Sequence, residues 1–405
     1  MPHEALIAAV EEDLALASLR DEPAETIVAS IGRMLRAGGF PLSRCLIAWK
    51  VIHPLYRAQD VTWEGGDAPV TATRWRFGER DAASWNRSPL KAFLESREQR
   101  WRRDLSDPAV RSSFLLFDEL AAAGHTDYLV VKVGFGTVEP GEVDDTLPGI
   151  PGVVISFCCD RPGGFTDREI EVLERLKFML AIVCRTAIER GVREAIATTY
   201  LGPTAGRRVL DGAIRLGDGE FIPAVVWYSD LRGSTALAER LPPADYIALL
   251  NRFFDASAGA VTGAGGEVLD FIGDAVLAIF PADGGGLAAA LHATDEALAR
   301  LGALRRDPAF GEGSPDAPVA GVAIARGTVM FGNIGVPERL AFSVIGPTVN
   351  AVARIEAFTK ALGEPVLATA DIAAAAPARW ASCGAFPLPG ITEPVELFAL
   401  VPAGG

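Results

Sequence analysis

Residues 265–280 read GGEVLDFIGDAVLAIF, two apolar runs joined by an Ile-Gly-Asp turn. Apolar runs of this length on either side of a Gly-Asp turn fold as a tight hairpin. The hairpin carries two acids, Asp270 and Asp274, and a buried carboxylate is costly without a partner. The chain around it alternates in a fixed order. FIPAVVWYSDL is an apolar strand ending in an acid, and PPADYIALLNRFFDASAGAVTGAGG is a helix closed by glycine. EVLDFIG and DAVLAIF are two strands, GGLAAALHATDEALARLGALRRD is a helix, and VAGVAIARGTVMFGNIG reads as a further strand pair. The order β-α-β-β-α-β is that of a ferredoxin-like or palm domain.

In that topology the first and third strands are antiparallel neighbours. Asp230 ends the first and Asp274 starts the third, so both are expected at one sheet edge. Taken singly, each acid is well explained as a helix cap or turn residue. Together they repel unless one is protonated or cations lie between them. An all-oxygen donor set suits Mg²⁺ or Mn²⁺, with phosphate oxygens completing the shell. Arg232, Gly233, Ser234 and Thr235 follow in DLRGST, a short stretch leading toward a helix, whose N–H groups suit a phosphate. Further along, SVIGPTVNAVARIEAFTKALG is a helix with Pro347 in its first turn and Gly363 at its end. Asn350 and Arg354 lie four apart and share a helix face. Such a pair is commonly just solvated, but Arg also suits charge on a phosphate and Asn suits a sugar.

The preceding half reads as α+β. Helical periodicity covers 4–20 and 24–37, and SRCLIAWKVIHPLYRAQDVTW gives strands broken at His-Pro. HTDYLVVKVGF and GVVISFCCD are further strands, separated by a Pro/Gly/acid loop at 137–151. Thr166 and Glu169 form a capping box opening a long helix. Leu173, Leu176, Leu180 and Val183 in that helix make a short heptad seam, equally a dimer contact or a core face. YLGPTAGRRVLDGAIRLGDGE (200–220) reads as a connector. The expected organisation is a regulatory domain at 1–165, a helix and connector at 166–221, and a third segment at 222–405.

The net charge of −14 over 405 residues argues against nonspecific binding to nucleic acid or an anionic membrane. No uncharged apolar run approaches the ~18 residues of a membrane span, so no membrane insertion is expected. Cys45, Cys158, Cys159, Cys184 and Cys383 lack metal-ligand spacing, as expected of free thiols in a reduced, cytoplasmic protein.

VVWYSDLRGST, GGEVLDFIGDAVLAIF, VMFGNIG and FSVIGPTVNAVARIE resemble, in order and spacing, the four successive signatures of class III adenylate/guanylate cyclases. The resemblance covers about 222–400, and LPGITEPVELFAL is similar to the family's closing strand pair. It implies a palm-type cyclase domain converting a purine nucleoside triphosphate to the 3′,5′-cyclic nucleotide and pyrophosphate, for intracellular signalling. Two Mg²⁺ or Mn²⁺ ions per site would be held by Asp230, Asp274 and the Leu231 main chain. Arg232, Gly233, Ser234 and Thr235 would meet phosphates. Asn350 would position the ribose, and Arg354 would stabilise charge at the attacked phosphate. Asp270 and Ser343 would read the base. The implied active form is a head-to-tail homodimer with shared sites.

Three departures stand out. Members using ATP usually carry Lys at the place of Asp270, the family's closing Lys is Pro389, and a common His is Ala325. Lys would donate to adenine N1, whereas a carboxylate accepts from the N1–H and amino group of guanine. Residue chemistry therefore points to GTP, while resemblance to bacterial members points to ATP, which is kept ahead. A catalytically silent module on the same fold is the rival reading. DRPGGFTDREIEVLE resembles the exit of a GAF-type sensor domain; it names no ligand or partner, although Trp49 and His53 are candidate pocket residues.

Overall fold

The stretches from 222 read as the βαββα part of the core fold as that reading expects in the computed structural model, which describes residues 2–78, 85–96, 98–136, 151–282, 284–306 and 319–401. The chain forms two compact units, Met1–Ile196 and Ala197–Gly405. Among the described residues no helix is long and apolar enough to cross a membrane.

The first unit begins with α1 (Pro2–Leu19), α2 (Ala24–Ala37), β1 (Leu42–Lys50), β2 (Tyr56–Trp63) and β3 (Thr71–Arg76). It continues through α3 (Pro89–Glu95), β4 (Arg100–Asp104), α4 (Pro108–Arg111), α5 (Leu115–Ala122), β5 (Asp127–Gly134) and β6 (Gly152–Cys159) into the long helix α6 (Asp167–Leu201). Its six strands form an antiparallel sheet in the order β3-β2-β1-β6-β5-β4. One sheet face packs Ile47, Trp63, Leu129 and Ile155 with apolar residues of α1, α2 and α6. The other packs Tyr128 and Val130 with Phe93 of α3 and Phe117 of α5.

Leu173, Leu176, Leu180 and Val183 are all buried in the first of these cores. The heptad spacing therefore marks an intramolecular face, because a helix docked on its own sheet shows the same period as a coiled-coil seam. The capping box forms as read, with Thr166 N–H donating to Glu169 Oε2 at 2.7 Å and Glu169 N–H to Thr166 Oγ1 at 3.3 Å. Trp49 is packed in the core, and His53 sits in the β1–β2 turn, where its Nδ1 accepts from Leu55 N–H. The two therefore do not line a common pocket. All five cysteines are free. The Pro/Gly/acid loop read at 137–151 lies outside the described residues except for Pro151.

The second unit contains α7 (Pro203–Leu210), β7 (Gly219–Leu231), α8 (Ser234–Arg240), α9 (Pro243–Gly263), β8 (Glu267–Ile272), β9 (Ala275–Pro281) and α10 (Gly286–Arg305). There follow β10 (Ala320–Val336), β11 (Arg339–Ile345), α11 (Pro347–Leu362), β12 (Val366–Thr369), α12 (Ala370–Ala375), β13 (Trp380–Phe386) and β14 (Val395–Leu400). The sheet order is β13-β14-β12-β10-β7-β9-β8, with β11 paired to β10. Helices α9 and α10 pack Phe253, Val261, Ala293 and Ala297 on one face against Trp227 and Phe280. On the other face α11 buries Val352 and Ile355 with Val226, Ile279 and Ala323.

Three sequence expectations need correction here. Residues 320–336 form one long strand, not a pair. Glycine within it reads as a breaker, but β10 stays paired with β7 along its length from Ala320 to Gly332. The stretch 200–220 is no bare connector, since it holds α7 and the start of β7. The closing strand pair is β13 with β14, and 387–394 is the turn between them.

Candidate active site

The antiparallel pairing of β7 with β9 sets Asp230 opposite Ala275, the residue after Asp274. The two carboxylates thus meet at one sheet edge, as the topology requires. Burial, and then the facing Asp274 carboxylate, push the Asp230 carboxyl up to about 7. Asp274 Oδ2 is buried and has no hydrogen-bond partner. Tyr228, two residues back on β7, is pushed up to about 12 by burial and then by Asp230.

A third carboxylate joins them that the sequence reading passed over. Glu356 is raised by burial, and it lies close enough to feel Arg232 and Asp274. Its place is marked by Gly321, the register partner of Asp230, where a Cβ would run into Glu356 Oε1 and Thr359 Oγ1. The signal was present in the sequence. Val352, Glu356 and Thr359 share one helix face by three- and four-residue spacing, and an acid on a packing face demands a reason.

Arg232 is partly engaged within the chain, while its Nε is buried without a partner. Its Nη2 donates to the Glu364 carbonyl at 2.6 Å and its N–H to the Val319 carbonyl at 2.8 Å. Gly233 takes a left-handed conformation (φ 75°) and opens α8, with Ser234 and Thr235 in its first turn. Leu231 ends β7 with its side chain fully buried, which leaves only its main chain to meet a ligand.

Asn350 and Arg354 share a face of α11 as read, but no hydrogen bond or ion pair among the described residues joins them to Asp230 or Asp274. At Gly327 a Cβ would run into Thr348 Oγ1, so the start of α11 lies over Gly327. Gly327 is six residues along β10 from Gly321, a span of about 20 Å in an extended strand. Asn350, half a turn beyond Thr348, is exposed near that far end. Arg354 points away from Glu356, and its Nη2 would lie 3.3 Å from a Cβ at Gly390. Asp270 is exposed on β8, past a bulge at Val268/Asp270. Ser343 is half-buried on β11, opposite Gly332, and β11 approaches β8.

Among the described residues no group of three or more His, Cys, Asp or Glu is arranged to hold a metal unaided. The pair Asp230/Asp274 nevertheless fits a divalent cation chemically. It offers hard oxygen donors, one of them orphaned, at a place where the protein supplies no cation of its own.

The chain matches no protein-family model. It is 33% identical over 162 residues to a protein named adenylate cyclase from Anabaena cylindrica, covering 39% of this chain and 32% of that one. It is 31% identical over 298 residues to an uncharacterized protein of Mycobacterium tuberculosis, covering 72% of this chain and 47% of that protein. The chain thus spans between a third and a half of the length of these curated relatives. Among solved structures, the guanylyl cyclase Cya2 shows 28% identity and a TM-score of 0.41 over 46% of this chain and 95% of that one. A bacterial light-regulated adenylyl cyclase shows 28% identity and a TM-score of 0.40, covering 45% and 91%. With four ordered motifs and a named cyclase among its sequence relatives, the chain is a relative of the class III adenylate/guanylate cyclases.

Proposed function

We propose that the chain is a purine nucleotide cyclase, forming a 3′,5′-cyclic nucleotide and pyrophosphate from ATP, with GTP the alternative. The observation that carries this reading is the carboxylate pair at the β7/β9 edge, with Asp274 Oδ2 buried and unpartnered. Mg²⁺ or Mn²⁺ bound there would acidify the ribose 3′-OH and neutralise the departing phosphates. Asp230 and Asp274, with the Leu231 carbonyl, supply the negative oxygens for this. The N–H groups of Gly233, Ser234 and Thr235 meet phosphate oxygens at the opening of α8. Asn350 orients the ribose, and Arg354 stabilises charge that develops on the attacked phosphate.

Arg354 lies against Gly390 and shares no bond with the carboxylate pair, and Asn350 is exposed near the start of α11; both support a site shared by two copies. The exposed Asp270 carboxylate favours GTP, since it accepts from guanine's donors and offers none to adenine N1.

The test is an assay of purified protein with ATP and with GTP, in Mg²⁺ and in Mn²⁺, with the product identified. A cyclic nucleotide is the expected product. Its absence from both substrates in both metals, from folded protein, would overturn the reading in favour of a silent binding module. Mixing Asp230→Ala with Arg354→Ala subunits should restore activity, since a mixed dimer holds one intact composite site. Demonstrated heterodimers without activity would exclude shared sites.

A further inference from the structure

We infer that residues 202–218 form a clamp that positions the two base-reading strands, with Glu267 and Asn333 as its positioning residues. This rests on the reading that Asp270 and Ser343 face the nucleotide base. Helix α7 opens at Gly202, which has no side chain to cap it. The cap is supplied from a distance. Glu267 Oε1, on a residue only 8% exposed, accepts from both Thr204 N–H and Ala205 N–H at 3.1 Å. Glu267 is the first residue of β8, three before Asp270.

The far end of the segment is held by Asn333, 4% exposed, on β10. Its Nδ2 donates to the carbonyls of Ala213 at 2.8 Å and Arg215 at 3.2 Å. Its main chain accepts from Gly217 N–H at 3.1 Å and donates to the Asp218 carbonyl at 2.8 Å. Asn333 pairs with Phe342, the neighbour of Ser343. Between the two ends Arg208 bonds Glu220 and lies 5.2 Å over the Phe331 ring, which stacks edge-on against Phe342.

Gly202 sits at φ 89°, a conformation that suits glycine, so the helix has no cap from within its own turn. Drawing the cap from β8 instead ties α7 to the strand that carries Asp270. Strands β8 and β10 are not neighbours, being separated by β7 and β9, and no pairing joins β8 to β11. The 202–218 segment is bonded to both. Discrimination between bases depends on donors and acceptors held within a few tenths of an ångström, so the spacing between Asp270 and Ser343 is set in part by this clamp.

The experiment compares the binding constants of ATP and GTP in Mn²⁺ for full-length wild type, Glu267→Ala, Glu267→Gln and Asn333→Asp, by displacement of a fluorescent nucleotide. Thermal unfolding and nucleotide-free Mn²⁺ binding are measured beside it. Glu267→Ala and Asn333→Asp should each shift the ATP:GTP ratio by at least about fivefold, while Mn²⁺ affinity stays within about twofold, because the metal pair stands on β7 and at the β8–β9 turn. Glu267→Gln keeps the accepting oxygen and should keep the ratio within about twofold. If Glu267→Ala fails to fold, Asn333→Asp decides, since it keeps the shape of the side chain and turns its two donated bonds into a carboxyl facing the same carbonyls. An unchanged ratio in a folded variant, or equal losses for both nucleotides, overturns the clamp. A wild type that binds nucleotides without cyclising them overturns the proposed function and leaves the clamp readable. A wild type that binds neither overturns both.

Discussion

The first unit and the β7/β9 edge of the second both draw acids out of open water, and they treat them in opposite ways. In the first, Asp127 Oδ2 accepts from Phe165 N–H at 2.9 Å and from Arg102 Nε at 3.0 Å. Glu169 accepts from Arg161 and from the Thr166 N–H. Burial works to raise the Glu169 carboxyl, yet the Arg161 and Thr166 bonds outweigh it and hold it below its ordinary value. In the second, Asp230 and Asp274 face one another and Glu356 stands close by, Asp230 is pushed up to about 7, and Asp274 Oδ2 has no partner. A buried acid held by a cation and a main-chain N–H belongs to the architecture, even where one oxygen, Asp127 Oδ1, has no partner of its own. A half-buried pair left repelling stores a place for a cation from outside.

The contrast breaks if mutation affects both regions alike. The largest expected effect is on chemistry. Asp230→Ala or Asp274→Ala should abolish cyclic nucleotide formation in Mn²⁺ without lowering the melting temperature of the metal-free protein, because the change relieves repulsion. Full retained activity in either would sink the metal assignment. Asp127→Ala should do the reverse, costing about 2 kcal/mol in a denaturant titration, the scale of leaving the buried Phe165 N–H without its acceptor. A loss under about 1 kcal/mol would show that the two regions do not differ as described.

Arg354→Ala should lower turnover roughly 100-fold, the scale of one lost transition-state donor. A change in KM alone would remove its transition-state role. Asp270→Lys should move substrate preference toward ATP by a smaller factor, and an unchanged ATP:GTP ratio would show that residue 270 does not read the base.

The comparison is sharpened by pH. The folded value of Asp230 lies above its unfolded one, so its contribution to stability is full below about 4 and is lost as pH rises toward about 7. Mn²⁺ affinity should rise over the same window, as the proton competing for the site leaves; titration calorimetry at pH 5, 6 and 7 checks this, and a flat profile would contradict it. Glu169 has the opposite sign. Its contribution is present above its unfolded value and lost as pH falls through its lowered folded value.

Much of this was legible in the sequence because the signals were local. The capping box at Thr166 and Glu169, the helix from Pro347 to Gly363, and the Gly-Asp hairpin are each fixed by residues within a few positions of one another. The meeting of Asp230 and Asp274 followed from one further step, the strand order of a βαββαβ core. The short elements between 71 and 122 escaped because they lack a periodic face; the edge strand β3 is almost wholly exposed. Leu173 to Val183 gave the right period and left open what covered it, since a helix face does not say whether a sheet or a second helix lies across it.

By itself, then, the sequence determined the order of most elements of the βαββαβ core, the hairpin, and the meeting of Asp230 with Asp274, because periodicity and turn chemistry act over short range. Tertiary structure alone decided three things. Glu356 enters the carboxylate cluster because Gly321, thirty-five positions earlier, leaves room for it. Arg232 is turned onto the Glu364 carbonyl. Gly202 receives its cap from Glu267. Each depends on chain segments far apart in sequence arriving at one point, and hydrogen bonding and close packing at that point leave no trace in the composition or period of either segment.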